Sequence, residues 1–416
     1  MAYVIIGAGP AGVVAAETLR KADPEGKIIL IGGESEPPYS RMALPYYLIK
    51  RVGEDGTHLR HGKSHFKDLK IEIIQSLVTQ IDTKGRNVIL EKGKPVAFEK
   101  LLIATGAHPL NPPIPGIDLN GVHHCWTLED GRNIAKGAKK GAKVVLMGAG
   151  FIGCIILESL VKNGVDLSVV EMGDRMVPRM MNETAGNLLK TWCVNKGIKV
   201  HTSAKITKIE TGTGKHPLLV HLSSKEKLDA DLVISAAGVA PYIDFLKGSG
   251  VETDDGILVN DWMATNIEGI YAAGDVAQGR DFSTGEYSVH AIQPTAVEHG
   301  RIAALNMAGQ DTPYHGSLNM NVLDTMGLIS SSFGQWMGVK KGTQAELCDE
   351  ANFKYINLQF DGDVLVGAST LGLTEHVGIL RGLIETRLPL GRWKDVLCDN
   401  PTRVMEAYIG ATRSIG

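Results

Sequence analysis

The sequence predicts an α/β protein: two doubly wound units built on parallel strands, followed by a C-terminal α+β segment. Three observations predict it. A strand, a Gly-rich turn and a helix open the chain, and the same order returns 141 residues later. Glycine is in excess, with 49 of 416 residues, about 12% against the roughly 7% of an average chain. After residue 316 the pattern no longer repeats. The glycine excess has no G-X-Y period or low-complexity tract behind it, and 44% of the residues are hydrophobic, which argues against disorder. Tight turns and close backbone approach explain it best.

The elements follow in order. Tyr3-Val4-Ile5-Ile6 reads as a buried parallel strand, the next stretch to about Lys21 as a helix, and Ile28 to Ile31 as a second strand. Ile71 to Ile74 and Asn87 to Leu90, with Lys84-Gly85 as a turn, read as strands of a small antiparallel layer, and Leu101 to Ala104 as another buried strand. Asn111-Pro112-Pro113-Ile114-Pro115-Gly116 cannot continue a helix or sheet and reads as a domain crossing. Then the pattern restarts: Val144 to Met147 as strand, a helix to about Asn163, and Leu167 to Val170 as strand, with short strands over 198–234. In the last segment Phe353 to Phe360 and Val364 to Ala368 flank Asp361-Gly362 as a hairpin, and Thr374 to Thr386 reads as a helix.

Composition narrows the class. Net charge is −3, no long basic run occurs, and aromatics are 6%, so nucleic acid is not an expected partner. The longest charge-free apolar run, Val144 to Leu157, is shorter than the ~20 residues that span a bilayer, so no membrane is expected. The cysteines at 125, 154, 193, 348 and 398 form no CxxC and read as reduced thiols of a cytoplasmic protein. His123-His124 lacks further ligands at metal spacing, so no metal is expected.

The two Gly-rich turns carry the chemistry. Gly7-Ala8-Gly9-Pro10-Ala11-Gly12 is G-x-G-x-x-G between a strand and a helix. The first Gly makes the turn, the second lets backbone approach a pyrophosphate, and the third permits helix–strand packing. The helix start offers free N–H groups and a positive dipole end. Glu34, 27 residues after Gly7, is placed to take a ribose hydroxyl. Gly148-Ala149-Gly150-Phe151-Ile152-Gly153 repeats the arrangement, with Glu171 23 residues on. A carboxylate there bonds a 2′-OH and repels a 2′-phosphate, favouring NAD(H) over NADP(H), although Arg175 and Arg179 nearby oppose that preference. Two such Rossmann-like sites on one chain suggest a flavin and a nicotinamide that exchange hydride.

Further motifs bring a family resemblance. Ile103-Ala104-Thr105-Gly106-Ala107, Ile234 through Pro241 with Gly238, and Thr265 through Val276 with Gly274-Asp275 stand in order with the two turns. Together they resemble the two-dinucleotide-binding flavoproteins of the pyridine nucleotide–disulfide oxidoreductase superfamily over about residues 1–310. The resemblance implies a discontinuous FAD domain, 1–115 with 235–315, an inserted NAD(P) domain at 116–234, and a C-terminal domain at 316–416. It implies that Gly7, Gly9, Pro10, Ala11, Gly12, Glu34, Arg41, Thr105, Gly106, Gly274, Asp275, Pro294 and Thr295 line FAD. Asp275 would bond the ribityl chain, and Gln293 to Gly300 would start a helix aimed at the flavin pyrimidine. Gly148, Gly150, Phe151, Ile152, Gly153, Glu171 and Gly238 would line NAD.

The branch is set by what replaces a thiol. Thiol-using relatives carry a C-G-L-P-Y-like stretch where this chain reads Met42-Ala43-Leu44-Pro45-Tyr46, and a thioether forms neither thiolate nor mixed disulfide. Pro38-Tyr39-Ser40-Arg41 with Leu44 resembles instead the P-Y-x-R-P-x-L-S-K stretch of the rubredoxin, ferredoxin and nitrite reductase-type enzymes. A flavin-side Lys–Glu pair of those relatives aligns with Tyr46 and Ile155, with Glu158 as the nearest acid. By the resemblance, Tyr46 and Phe151 lie near the flavin and no protein nucleophile is used. His290, Glu298 and His299 fall near the expected flavin edge and read better as surface or hydrogen-bonded residues. Met320, Met326, Trp336 and Met337 read better as apolar core than as a docking surface.

The expected activity is therefore FAD-dependent transfer of hydride from NAD(P)H, with single electrons passed to or from a small iron–sulfur carrier. A homo-oligomer is compatible. The alternatives are a flavoprotein of mainly binding or assembly role, and an NADH oxidase that makes peroxide.

Overall fold

Residues 1–62 and 64–413 are described by the computed structural model. The chain forms two units, Met1–Tyr47 with Val52–His108 and Val239–Ser317, and Leu48–Arg51 with Pro109–Gly238 and Leu318–Gly416.

The first unit centres on a five-stranded parallel sheet. Its strand order is Ile270–Ala272, Lys100–Ile103, Ala2–Ile6, Lys27–Gly32, Ile71–Gln75. The central strands are continuous runs of Val, Ile and Leu because both faces are covered. Ile71–Gln75 departs from expectation. It is the parallel edge of this sheet, not part of the antiparallel layer, which consists of Val78–Asp82, Asn87–Leu90 and Val96–Ala97. Its burial explains the departure: only Ile71 is fully buried, so this edge strand lacks the continuous apolar run of the central ones. Helices Pro10–Ala22 and Gln293–Met307 pack against each other. A Cβ on Gly300 would lie 2.2 Å from the carbonyl oxygen of Ala11, so this crossing needs glycine.

The second unit repeats the design. Its parallel sheet runs Lys199–His201, Asp166–Val170, Lys143–Met147, Leu232–Ser235, Val122–His124. A meander of Ile206–Thr211, Leu218–Leu222 and Lys227–Ala230 covers one side with an apolar cluster that includes Val145, Met147, Val170 and Val220. The same unit holds a five-stranded antiparallel sheet in the order Met320–Thr325, Leu328–Gly334, Val364–Leu371, Lys354–Asp361, Thr343–Asp349. The hairpin at Asp361-Gly362 forms, with Gly362 at φ +60°. The helix after it begins at Val377, because His376 is left-handed at φ +62°, and it ends at Thr386. Two further helices follow, Arg392–Asp399 and Val404–Arg413. Trp336 is buried, but Met337 is 77% exposed and Met320 and Met326 are half-buried, so the four residues do not form one apolar core.

Candidate functional site

In the first unit the glycines of the turn have separate causes. Gly7 has φ +114°, and a Cβ there would stand 2.0 Å from the carbonyl oxygen of Ala104. A Cβ on Gly12 would stand 1.9 Å from the carbonyl oxygen of Gly7. Both are dictated by packing. Gly9 is different: it is extended, and a Cβ there would meet nothing within 4 Å. The space in front of it is open, and no side chain caps the helix that starts at Pro10. The first N–H groups of that helix thus have no side-chain cap, an arrangement that suits a pyrophosphate.

The return segment brings a second helix start to the same place. Gly274, at φ +78°, fits between Ala11 and Ala296, with a virtual Cβ 3.2 Å and 3.4 Å from their Cβ atoms. Pro294 and Thr295 stand in the first turn of Gln293–Met307, which also has no side-chain cap. Asp275 therefore sits beside two helix N-termini. Burial pushes its carboxyl up to about 6, partly offset by the charge of Arg41. Thr105 donates to the carbonyl of Tyr242 at 2.9 Å, and the carbonyl of Gly106 accepts from the amide of Tyr242 at 2.9 Å. Gly106 has φ +69°, with open space where a Cβ would go. Glu34 accepts from Arg41 at 2.7 Å and from the Tyr39 hydroxyl at 2.6 Å. The turn, Glu34, Arg41, Thr105, Gly106, Gly274 and Asp275 thus belong to one unit, while Tyr46 stands half exposed on the short helix Leu44–Leu48.

Two histidines near this region differ. His290 is enclosed by Asp281, Ser288 and Ser317, with its Nε2 3.0 Å from the Asp281 carboxylate. That hydrogen-bonded histidine holds the Asp281 carboxyl below its usual range, against the opposing effect of burial. His299 contradicts the expectation of a surface or hydrogen-bonded residue. It is 2% exposed, and neither ring nitrogen has a partner among the described residues. Burial, with a smaller contribution from the charge of His290, pulls it down to about 4. Its ring packs edge-on against Tyr314. Glu298 is exposed.

The second turn has the same geometry. Gly148 has φ +100°, with a virtual Cβ 2.5 Å from the carbonyl oxygen of Ala236. Gly153 would place a Cβ 2.2 Å from the carbonyl oxygen of Gly148. Gly150 is extended and meets nothing within 4 Å. Phe151 and Ile152 open the uncapped helix Phe151–Lys162, both half-buried. Gly238 has φ +117°. Glu171 is buried, and each oxygen accepts a backbone amide: Ala149 on Oε2 and Gly173 on Oε1, both at 2.6 Å. The amide of Val177 donates to the carbonyl of Ala149 at 2.8 Å. Ala149, Gly173 and Val177 escaped sequence reasoning, since none carries a functional group to signal the role. Arg175, a possible phosphate ligand, is bonded to Asp174 and to the carbonyl of Met181. Glu158 forms an ion pair with Lys162.

One thiol borders the second turn: Cys154 donates to the carbonyl of Ala149 at 3.5 Å. Cys125, Cys154 and Cys193 are buried, and burial holds all three in the protonated form, with Cys125 and Cys193 pushed up to about 12. Cys348 and Cys398 are exposed. Met42 is 47% exposed. No helix among the described residues is long and apolar enough to cross a membrane.

Two open-fronted Gly turns, each between the central strand of a parallel sheet and a helix without a side-chain cap, fit a protein with two dinucleotide-binding domains. Residues 1–301 match the family described as pyridine nucleotide-disulphide oxidoreductase; the chain belongs to that family and is a flavin-dependent oxidoreductase. It is 31% identical over 413 residues to the NADH-dependent phenylglyoxylate dehydrogenase subunit epsilon of Aromatoleum evansii, covering 99% of this chain and 97% of that one. It is 32% identical to the rubredoxin-NAD(+) reductase of Ectopseudomonas oleovorans, covering 92% and 99%. Among solved structures, the covalent putidaredoxin reductase–putidaredoxin complex matches with a TM-score of 0.91 at 23% identity, covering 99% of each chain, which establishes the shared fold.

Proposed function

We propose that the chain exchanges electrons between NAD(H) and a small iron–sulfur protein through bound FAD. The observation that carries this reading is the pair of open spaces before Gly9 and Gly150, each at a helix start with free amides. FAD belongs with residues 1–115 and 235–315, NAD(H) with 116–234, and the segment 316–416 serves the carrier. In the first unit, Gly9, Pro10, Ala11, Pro294 and Thr295 present the two helix starts to pyrophosphate and ring, Asp275 takes the ribityl hydroxyls, and Glu34 with Arg41 takes the adenosine end. In the second, Gly150, Phe151 and Ile152 receive the pyrophosphate and Glu171 the ribose. Glu171 keeps acceptor capacity on each oxygen beyond the two amide bonds, and its negative charge disfavours a 2′-phosphate.

Bound flavin supplies the conversion between two-electron nicotinamide chemistry and one-electron carriers. The chain contributes positioning and a fixed electrostatic field. No thiol is assigned a part: burial keeps three protonated, the exposed Cys348 and Cys398 lie in the segment after residue 316, and by the resemblance Met42 stands where a redox cysteine would be. The free thiols suit the cytoplasm.

The near end-to-end match to a dehydrogenase subunit favours a second arrangement, in which the iron–sulfur partner is a stable subunit of a larger enzyme. Anaerobic rapid mixing tests the shared core of both. NADH should bleach the bound flavin within seconds, and a rubredoxin or ferredoxin should then restore its colour. No bleaching with NADH or NADPH rejects the proposal. Rapid reoxidation by air without a carrier supports an NADH oxidase instead.

A further inference from the structure

Residue 149 ties the second Gly turn to the loop that follows Glu171. The amide of Ala149 holds Glu171 Oε2 at 2.6 Å, and its carbonyl takes the amide of Val177 at 2.8 Å. The amide of Gly173 closes the near end of the loop on Glu171 Oε1, also at 2.6 Å. Between these pins, Met172 remains 67% exposed.

Val177 is the unexpected member. It lies at φ +44°, a left-handed conformation that a β-branched residue strongly resists. Such strain persists only where the surroundings over-determine it, and it gathers at ligand-binding elements. Here the determinants are visible. The side chain is 1% exposed, and the carbonyl accepts the amides of Met180 at 2.8 Å and Met181 at 3.0 Å. Met176, Met180 and Met181 are themselves buried. The buried side chain thus anchors residue 177 in a backbone state that its own Cβ opposes.

We infer that Val177 is a positioning residue for the dinucleotide of the second unit. By holding the left-handed turn, it keeps the loop clasped to Ala149 and Glu171 in its working place. It sets nucleotide affinity without providing a ligand atom. The inference rests on the reading that this turn holds NAD(H).

Two small substitutions separate this role from packing. Alanine loses the anchor and keeps the penalty at positive φ; glycine loses the anchor and the penalty together. Affinity falls in proportion to the population of the clasped loop, so a loop clasped a tenth of the time binds about tenfold more weakly. For Val177→Ala, the dissociation constant for NADH, read by fluorescence titration, should rise about tenfold. For Val177→Gly it should stay within about threefold of the unchanged protein, at equal flavin content. A packing role gives the opposite order, because glycine leaves the larger cavity and the more flexible chain. Glycine equal to or weaker than alanine, or both equal to the unchanged protein, overturns the inference.

Hydrogen exchange on the unchanged holoprotein gives a second measurement that survives a misfolded variant. NAD⁺ should slow exchange over 172–178 together with 148–153; protection of the turn alone overturns the inference. Absence of any NAD(H) binding by the unchanged protein would instead reject the reading of the second turn, and the inference with it.

Discussion

Arg41 and Glu34 form an ion pair at 2.7 Å, and the Tyr39 hydroxyl occupies the other carboxylate oxygen at 2.6 Å. The acid expected to meet a ribose is therefore already oriented by two residues of the Pro38-Tyr39-Ser40-Arg41 stretch. The pair is about one-third exposed, so its contribution to stability is about 1 kcal/mol or less. Glu34→Ala should lower the melting temperature only slightly while weakening FAD retention about tenfold, a change of ~1.4 kcal/mol in binding. Flavin release on dilution, measured beside a thermal melt, checks it; a large loss of stability with unchanged retention would assign Glu34 a purely structural role.

The proposed assignment predicts separable losses at Gly9 and Gly150. Gly9→Val and Gly150→Val each place a side chain in open space, so both proteins should fold. The first should be purified without flavin. The second should be yellow yet fail to bind NADH. Gly12→Ala is the contrast: its Cβ meets the Gly7 carbonyl oxygen at 1.9 Å, and the fold itself should suffer. Absorbance spectra and NADH titration of the three variants distinguish these outcomes.

Asp275 predicts a pH dependence. Its folded pKa, about 6, lies above the ordinary 3.8, so the folded chain binds the proton more tightly than the unfolded one. Its contribution to the stability of flavin-free protein should therefore fall as pH rises from about 4 to about 6, then level off. Asp275→Asn should remove that fall, and should also weaken flavin binding by changing an acceptor oxygen into a donor. Melting curves of flavin-free protein across this window read the first effect.

His299 acts with the opposite sign. Its folded value, about 4, lies below the ordinary 6.5, so protonation favours the unfolded chain. Stability from this group is complete above about pH 6.5 and is lost as pH falls toward 4. His299→Leu breaks no hydrogen bond made by the ring among the described residues and should flatten the acid side of the stability profile. A profile that keeps its full slope would show that protons are taken up elsewhere.

The thiols predict a negative result with positive value. Alkylating the exposed Cys348 and Cys398, or replacing both with serine, should leave flavin reduction by NADH unchanged. Loss of flavin reduction in the double variant, which keeps the other three cysteines, would reopen thiol chemistry.

Much of this was legible in the chain because parallel strands buried on both faces and their Gly turns leave strong local marks. Ile71–Gln75 departs from its sequence pattern because an edge strand carries the half-exposed pattern of an antiparallel one. His299 departs from the sequence pattern because burial is a tertiary property, and a histidine six residues into a helix has no local sign of it. Val177 leaves no mark in the sequence for a sharper reason: β-branched residues strongly resist left-handed backbone, so no local pattern points to one there.

The return of residues 239–317 to the first unit also sets an order of events during synthesis. The parallel sheet that includes Lys143–Met147 is assembled from residues 122–235, so a ribosome can release all its strands early. The first sheet has its opening strand at Ala2–Ile6 but waits for Ile270–Ala272 to cover the edge at Lys100–Ile103, and for Gly300 to seat against Ala11. The first Gly turn is thus made before the second, yet its sheet is completed after the second one's. A growing chain halted before residue 270 would carry all strands of the second parallel sheet and a first sheet whose Lys100–Ile103 edge is uncovered, the form most open to chaperones or to mispairing.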